Sequence, residues 1–306
     1  MSVRVGLGFA GLPFSSAAAL RAWIDFCEGS QVDSVWLSER LVSPQPFLEP
    51  ISALAVIAGQ TERLKFGVNA TVLPLRDPLV LARECATIDY LSGGRLLPVF
   101  GVGRDTAPEF KATNRSPAGR GERSNEMIQL LSLLWSGESV TFEGKHYQYR
   151  DVMISPPPVQ QPLPLWIGGS SRAAIERTAR WGTGWLGGIQ DPSEVAPVIA
   201  AIKEAAAEAG RVIDEDHYGT GFPFRFGSWD EPLVERYARS LSRTAPDVDP
   251  RSHMVVGGAA EIADRIGQFI AAGASKFVLR PIAEGDAEIM DQSRRLNDEV
   301  LPLVHA

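Results

Sequence analysis

The sequence predicts an α/β fold, a (β/α)8 TIM barrel with an insertion after the fourth strand. Three observations predict it: eight short apolar segments have the length and flanking residues of strands, helical patterns lie between them, and one long segment interrupts the alternation. A chain of 306 residues, 44% of them hydrophobic, can bury a large core. We therefore expect a single domain over residues 1–306.

The predicted strands are short, apolar and bounded by Gly, Pro or polar residues. They lie at 3–9, 34–37, 65–72, 96–102, 165–168, 184–186, 217–226 and 276–282. Apolar residues at helical spacing predict helices at 17–28, 48–60, 78–91, 172–181, 192–209, 232–242, 260–272 and 286–303. Eight strands alternating with helices favour a closed barrel over an open sheet.

The longest excursion, at about residues 104–164, has its own pattern. A helix is predicted at 120–135, and strands at 140–142 and 146–149 flank a Glu-Gly-Lys turn, which indicates a hairpin. Prolines at 156–158, 162 and 164 then suit an extended approach to the fifth strand. We interpret this segment as an insertion over the barrel mouth.

Composition excludes several functional classes. The net charge of −7 and the scattered Lys and Arg residues argue against nucleic acid as a partner. No stretch approaches the roughly 20 apolar residues of a spanning helix, which argues against a membrane role, and the first residues have no signal-peptide pattern. The expected protein is soluble and cytoplasmic.

Metal and Schiff-base chemistry are also disfavoured. Cys27 and Cys85 lie far apart in helical patterns and are expected to be buried free thiols. The four histidines have no metal-ligand spacing, so no metal site is predicted. Lys65 and Lys276 begin strands, on the barrel face away from catalysis.

Barrel active sites lie at the carboxyl ends of the strands, so the residues after each strand are the candidates. Gly168, Gly169, Ser170 and Ser171 form a turn before a helix, where backbone N–H groups and hydroxyls suit a phosphate. The alternative is that a serine merely caps the helix. The glycines at 101 and 103 are a weaker signal, because residue 106 is Thr and the full dinucleotide motif is absent.

Charged residues also follow the strands. Glu39 and Arg40, after the second strand, could be an acid/base and an anion clamp, or an ordinary ion pair. Arg104 and Arg280 could neutralise a phosphate or bridge barrel carboxylates.

Ordered motifs along nearly the whole chain resemble the luciferase-like monooxygenase superfamily. They include Asp33-Ser-Val-Trp-Leu-Ser-Glu-Arg40, Asp89-Tyr-Leu-Ser-Gly-Gly-Arg95, Phe100-Gly-Val-Gly103, Phe142-Glu-Gly-Lys-His-Tyr147, Pro164-Leu-Trp-Ile-Gly-Gly169 and Gly273-Ala-Ser-Lys-Phe-Val-Leu-Arg-Pro281. Within this superfamily the chain most resembles the branch that uses the deazaflavin coenzyme F420, and an FMN branch is close to it.

The resemblance implies an F420-dependent oxidoreductase that transfers hydride between the deazaflavin and a small-molecule substrate. The alternative is an FMN-dependent monooxygenase that uses O2 and reduced flavin supplied by a separate reductase. A non-catalytic flavin-binding protein is the third possibility. Relatives are often dimers, and the helices at 48–60 and 78–91 could supply the apolar face of a homodimer; alternatively, that face packs on the barrel.

The resemblance also implies a site. The cofactor ring would lie over a bulge, often a non-prolyl cis peptide, at Ala70, Thr71 and Val72. The phosphate-bearing parts would contact Gly103 and Arg104 together with residues 168–171, and Ser38 completes the predicted cofactor-binding set. Many F420-dependent relatives have Asp-His where this chain has Glu39 and Arg40, the predicted catalytic pair. An arginine stays protonated, so a histidine-base mechanism does not transfer to this chain.

Overall fold

The apolar segments form a closed barrel of eight parallel strands in the computed structural model, which describes residues 3–244 and 248–305. In chain order the strands are β1 Arg4–Gly8, β2 Ser34–Leu37, β3 Lys65–Val72, β4 Leu96–Gly101, β5 Val140–Glu143, β6 Gln148–Val152, β7 Trp166–Gly168, β8 Gly184–Ile189, β9 Tyr218–Gly221, β10 Pro223–Phe226, β11 Val255–Gly257 and β12 Lys276–Pro281. The barrel order is β1, β2, β3, β4, β7, β8, β9, β12, and β12 closes the ring by pairing with β1. The predicted (β/α)8 barrel is confirmed.

Helices lie between the strands, as predicted. They are α1 Ala17–Glu28, α2 Pro50–Gln60, α3 Pro78–Ser92, α4 Pro108–Ala112, α5 Arg120–Leu134, α6 Arg172–Trp181, α7 Pro192–Glu208, α8 Pro232–Thr244, α9 Pro250–His253, α10 Ala259–Ala271, α11 Gly285–Arg295 and α12 Leu301–Val304, with a 3-10 turn at Leu73–Leu75 and a π-helical turn at Leu296–Val300. The second helix begins at 50 rather than at the predicted 48. There, the Glu49 side chain accepts hydrogen bonds from the N–H groups of Ile51 and Ser52 and caps the helix.

The seventh strand differs from its prediction. The expected strand at 217–226 is divided at Phe222 into β9, which pairs with β8 and β12, and β10, which pairs with β12 and β11. The pattern did not predict β11, because its three residues are too few to show a period.

The insertion between β4 and β7 contains α4, α5 and the hairpin of β5 and β6, which confirms the predicted helix and hairpin. Two hydrogen bonds anchor it to α3: the Trp135 indole donates to the Ala82 carbonyl at 3.1 Å, and the Gln160 side chain donates to the buried Asp89 carboxylate at 2.7 Å. The insertion therefore packs against the barrel wall.

Two indoles fill the inside of the barrel. Trp36 and Trp166 pack there with Val99, Leu186 and Val278. The strands beside the indoles have glycines. A Cβ on Gly67 would lie 2.6 Å from the Trp36 ring and 2.2 Å from the Leu97 carbonyl oxygen. Small residues beside large ones are how a narrow barrel interior reaches close packing.

Two smaller expectations, on the strand-initial lysines and on the cysteines, are met. Lys65 and Lys276 lie at the amino ends of β3 and β12, and the buried Lys276 forms an ion pair with Asp33. Cys27 and Cys85 are buried free thiols.

Among the helices in the described ranges, none has the length and apolar character needed to cross a bilayer. Val56 on α2 and Val80 on α3 are exposed, and the homodimer through these helices stays a prediction.

Candidate functional site

The carboxyl end of β3 carries a bulge. Val68 of β3 is paired with Pro98 of β4, and the next pair is Thr71 with Phe100. Between these two pairs β3 has one residue more than β4. The peptide bond between Asn69 and Ala70 is cis. The predicted bulge is therefore present, and it begins just before the expected residues 70–72.

Two glycines of neighbouring strands face the bulge. A Cβ on either Gly101 or Gly168 would lie 3.5 Å from the Ala70 methyl, in ordinary contact. Without side chains at these two positions, the space above Ala70 stays open. A flat group can therefore approach the backbone closely here.

A cavity of about 750 Å³ opens above this bulge, between the carboxyl ends of four strands and the first turns of α5 and α6. It has the size of a small-molecule or cofactor site. The predicted cofactor-binding residues that line it are Ala70, Val72, Gly103, Gly168, Gly169 and Ser171. The predicted residues that do not are Ser38, Thr71, Arg104 and Ser170.

Those four residues have other surroundings. The Ser38 hydroxyl donates to the Phe9 carbonyl at 3.3 Å, and the Ser170 hydroxyl donates to the Gln190 side chain at 3.0 Å. Thr71 is buried. Arg104 is exposed, and its side chain forms no hydrogen bond or ion pair within residues 3–244 and 248–305.

Two arginines that the sequence reasoning did not assign to the site line the cavity, Arg120 and Arg177. Arg177 is 6% exposed, and its Nε donates to the Asn125 side-chain oxygen at 2.8 Å. Arg120 is partly buried, and its Nε donates to the Gly103 carbonyl at 3.3 Å. Neither guanidinium has a carboxylate within 4.0 Å in the part of the chain that the structure describes.

Burial removes hydration from the charged Arg177 side chain, which costs free energy. Burial lowers the pKa of Arg177, and the neighbouring Glu176 opposes that shift. Arginines are rarely buried without an anionic partner, because an unpaired charge loses its hydration. The cavity therefore offers a desolvated positive charge that an anionic group can neutralise.

Helix starts add to this potential. Ser171 is the N-cap of α6, where its hydroxyl accepts from the Ala174 N–H at 3.3 Å, and it also lines the cavity. Gly119, at φ +67°, begins α5 without a side-chain cap. Both helix ends direct their positive dipole ends toward the cavity. The capping alternative for Ser171 is thus realised, and it is compatible with anion binding.

One carboxylate also lines the cavity. Glu122 is largely exposed and forms an ion pair with Lys145 of the β5–β6 turn at 2.8 Å, and His146 lies 3.4 Å away. Glu122 therefore pairs with the β5–β6 turn and lies more than 4.0 Å from both guanidinium groups.

Glu39 and Arg40, the predicted catalytic pair, form ion pairs with different residues. Glu39, 1% exposed at its side chain, accepts a hydrogen bond from the Val72 N–H at 2.5 Å and forms an ion pair with Arg76, whose Nε lies at 2.9 Å. Burial raises the pKa of Glu39, and the Arg76 charge opposes the shift. Arg40 is 55% exposed and lies 3.7 Å from the buried Glu109. Glu39 therefore supports the end of β3, and a role of either residue in catalysis stays a prediction.

Acidic residues and a histidine cluster at the opposite end of the barrel. Ligand atoms of Asp214, Asp216 and His217 lie within 4.8 Å of one another, before β9. Asp216 forms an ion pair with Arg4, and Nδ1 of His217 lies 2.8 Å from the Thr183 carbonyl oxygen. These contacts tie the cluster to the amino-terminal end of the barrel and explain its residues as structural.

Comparison with known proteins gives this geometry a context. The model of a family described as luciferase-like monooxygenase matches residues 10–276. An uncharacterized protein of Mycobacterium bovis is 34% identical over 168 residues, 55% of this chain and 57% of that protein, so the match spans little more than half of the relative's length.

Solved structures share the fold over the whole chain. An F420-dependent secondary alcohol dehydrogenase in complex with an F420-acetone adduct superposes with a TM-score of 0.86 at 18% identity, covering 99% of both chains. The oxygenating constituent of 3,6-diketocamphane monooxygenase from Pseudomonas putida, in complex with FMN, superposes with a TM-score of 0.77 at 18% identity, also covering 99% of both. The fold thus serves both F420-dependent and FMN-dependent enzymes.

Proposed function

The chain belongs to the luciferase-like monooxygenase family, and on this basis we propose that it is an F420-dependent oxidoreductase acting on a small organic substrate. When bound, a deazaflavin supplies hydride transfer at its C5 atom. The substrate must gain or lose one proton together with the hydride. The protein's task is to hold the cofactor and to align the substrate with C5.

The observation that carries the proposal is the buried Arg177 guanidinium in a cavity above the β3 bulge. F420 and FMN both carry phosphate, and a phosphate would neutralise Arg177 and Arg120 by charge-assisted hydrogen bonds. The N–H groups at the starts of α5 and α6 would add donors to the same anion. The residues present therefore fit a phosphate-bearing cofactor.

The floor of the cavity would bind the other end of such a cofactor. Ala70, with Gly101 and Gly168 beside it, presents a backbone surface that a planar ring can approach. Glu39 would act here as a positioning residue, because its carboxylate binds the N–H of Val72, a residue of the same lining. Thr71, which precedes Val72 in β3 and is buried, would stiffen this edge.

An FMN-dependent monooxygenase is the second candidate. The superposition on an FMN-bound monooxygenase supports it, and the charge of the cavity suits FMN as well as F420. Such an enzyme would use O2 and would need a separate reductase as partner. F420 takes precedence because the sequence motifs most resemble the F420-dependent branch.

A fluorescence titration of the purified protein with F420 and, separately, with FMN tests the proposal. Saturable binding of F420 at micromolar or lower concentration, with much weaker FMN binding, is the expected result. Preference for FMN, together with oxygen consumption in the presence of a flavin reductase, would move the assignment to the monooxygenase. Failure to bind either compound would refute the cofactor assignment.

A further inference from the structure

Another arginine without a carboxylate partner in the described ranges, Arg280, lies on the other side of the barrel mouth. Along β12, Val278 belongs to the cluster of Trp36 and Trp166 inside the barrel. Phe277 and Leu279 belong instead to the larger hydrophobic cluster that includes residues of the surrounding helices. Side chains alternate along a strand. Arg280 therefore lies on the inner face of β12, one step above Val278 and at the carboxyl end of the strand.

No carboxylate in the described ranges lies within 4.0 Å of the Arg280 guanidinium. Its guanidinium is partly buried and forms no hydrogen bond or ion pair there. Burial lowers the pKa of Arg280, and Tyr237 of α8 opposes this shift. Burial likewise raises the pKa of Tyr237, and Arg280 opposes it, so the phenol lies within electrostatic range of the guanidinium. A partly desolvated cation therefore has a phenol within electrostatic range and no carboxylate partner in the described ranges.

Arg280 lies apart from the cavity that suits the cofactor. That cavity is lined from β3, β4, β7 and β8, whereas β12 is paired with β1 and, beyond it, β2 follows in the ring. Leu7 pairs with Leu279, and the strand beside Arg280 continues with Gly8, where a Cβ would lie 3.1 Å from the Trp36 side chain and 3.2 Å from Val278. The packed interior of the barrel thus reaches Trp36 and Val278, one step below Arg280 on β12. Arg40 follows β2 on the same side. A cofactor over Ala70 would leave this side of the mouth to the substrate.

We propose that the substrate carries a carboxylate and that Arg280, on the inner face of β12, binds it with the Tyr237 hydroxyl alongside. The proposal rests on the proposed function, because that function makes the ligand at this side of the mouth a substrate. A guanidinium presents two parallel N–H groups that match the two oxygens of a carboxylate. One guanidinium carries one charge, which a carboxylate balances, whereas a phosphate ester brings about two negative charges and a third oxygen.

Binding of small carboxylates to the full chain tests this assignment. Isothermal titration with benzoate and propionate, each compared with its neutral amide, measures the contribution of the negative charge. The expected result is that the wild type binds each acid at least about tenfold more tightly than its amide, as a charge-assisted pair in a partly desolvated site implies. Equal binding of acid and amide would overturn the proposal, as would tighter binding of inorganic phosphate than of either acid.

Variants locate the charge. Arg280→Gln should remove the preference for the acid, and Tyr237→Phe should weaken acid binding by about threefold, the value of a neutral hydrogen bond. Arg239→Gln changes an exposed arginine on α8, 65% exposed at its side chain, and should leave acid binding unchanged. An Arg280→Gln protein that keeps the preference refutes the role of Arg280. Should that variant fail to fold, Arg280→Lys decides, because the loss of the paired N–H groups should weaken acid binding and unchanged affinity would refute it.

The same experiment separates this proposal from the proposed function. F420 affinity, measured on the Arg280→Gln protein, should equal that of the wild type, since Arg280 does not line the cofactor cavity. If the protein binds carboxylates through Arg280 but binds neither F420 nor FMN, the carboxylate site is supported and the proposed function is refuted. A protein that binds F420 but shows no preference for acids would keep the function and refute the site.

Discussion

The indole of Trp166 fills the space beside Gly184 inside the barrel. A Cβ on Gly184 would lie 2.4 Å from Cε2 of Trp166 and 2.6 Å from its Nε1, both closer than van der Waals contact allows. Trp166 belongs to β7 and Gly184 to β8, and the two residues are paired in the parallel register. The size of the indole therefore requires glycine at 184.

Gly184→Ala should lower the free energy of unfolding by about 1–3 kcal/mol, the usual cost of overpacking a core. Gly188→Ala on the same strand is the matched control, because a Cβ there meets no atom within 4 Å. Urea denaturation followed by tryptophan fluorescence measures both. Equal midpoints for the two variants would show that the barrel interior can accommodate the extra methyl group.

Arg177→Gln should weaken binding of F420 or FMN by about ten- to a hundredfold, because it removes a charge-assisted contact to a phosphate in a buried site. Arg180→Gln makes the same change in charge one turn later in α6, where the side chain is exposed and outside the cavity lining, and should bind as the wild type does. Fluorescence titration compares them. Comparable losses in both variants would mean that net charge, rather than the position of Arg177, governs binding.

Glu39→Gln should lower the free energy of unfolding by about 3 kcal/mol, because it leaves the Arg76 side of a buried ion pair without its main partner. Glu49→Gln removes a 41% exposed partner of the same arginine and should cost less than about 1 kcal/mol. Thermal and urea unfolding give both values. A Glu39→Gln protein as stable as the wild type would speak against the supporting role and return Glu39 to the candidates for proton transfer.

Both cysteines should be unreactive in the folded protein. Burial raises the pKa of Cys85 to about 12, and it raises the pKa of Cys27 still more. At pH 8 a thiol with a pKa of 12 is thiolate in about one molecule in ten thousand, and the thiolate is the reactive form. Ellman's reagent should therefore titrate no thiol before unfolding and both thiols in guanidinium chloride. Rapid reaction of the folded protein would show that one of these helices opens readily.

Local patterns were enough to predict the barrel and to point to loops that line the candidate cavity. The period of apolar residues, together with Gly and Pro at the boundaries, gave the strand and helix order, because these signals arise within a few residues of the chain. The rule that barrel sites lie at the carboxyl ends of strands then pointed to the turn at 168–171, and the family resemblance added Gly103; most of these residues line the cavity. The three-residue β11 carries too little pattern to be predicted in this way.

The sequence by itself determined the order of the elements, the closed barrel and the loops that face its mouth. Only the tertiary structure decided which charges are paired: Glu39 with Arg76, and Arg177 and Arg280 with no carboxylate in the described ranges. The physical reason is that a Coulomb interaction depends on distance in space and on burial, and these partners lie on different strands and helices. Local sequence patterns record which face of an element is apolar, but they do not record which distant residue meets it.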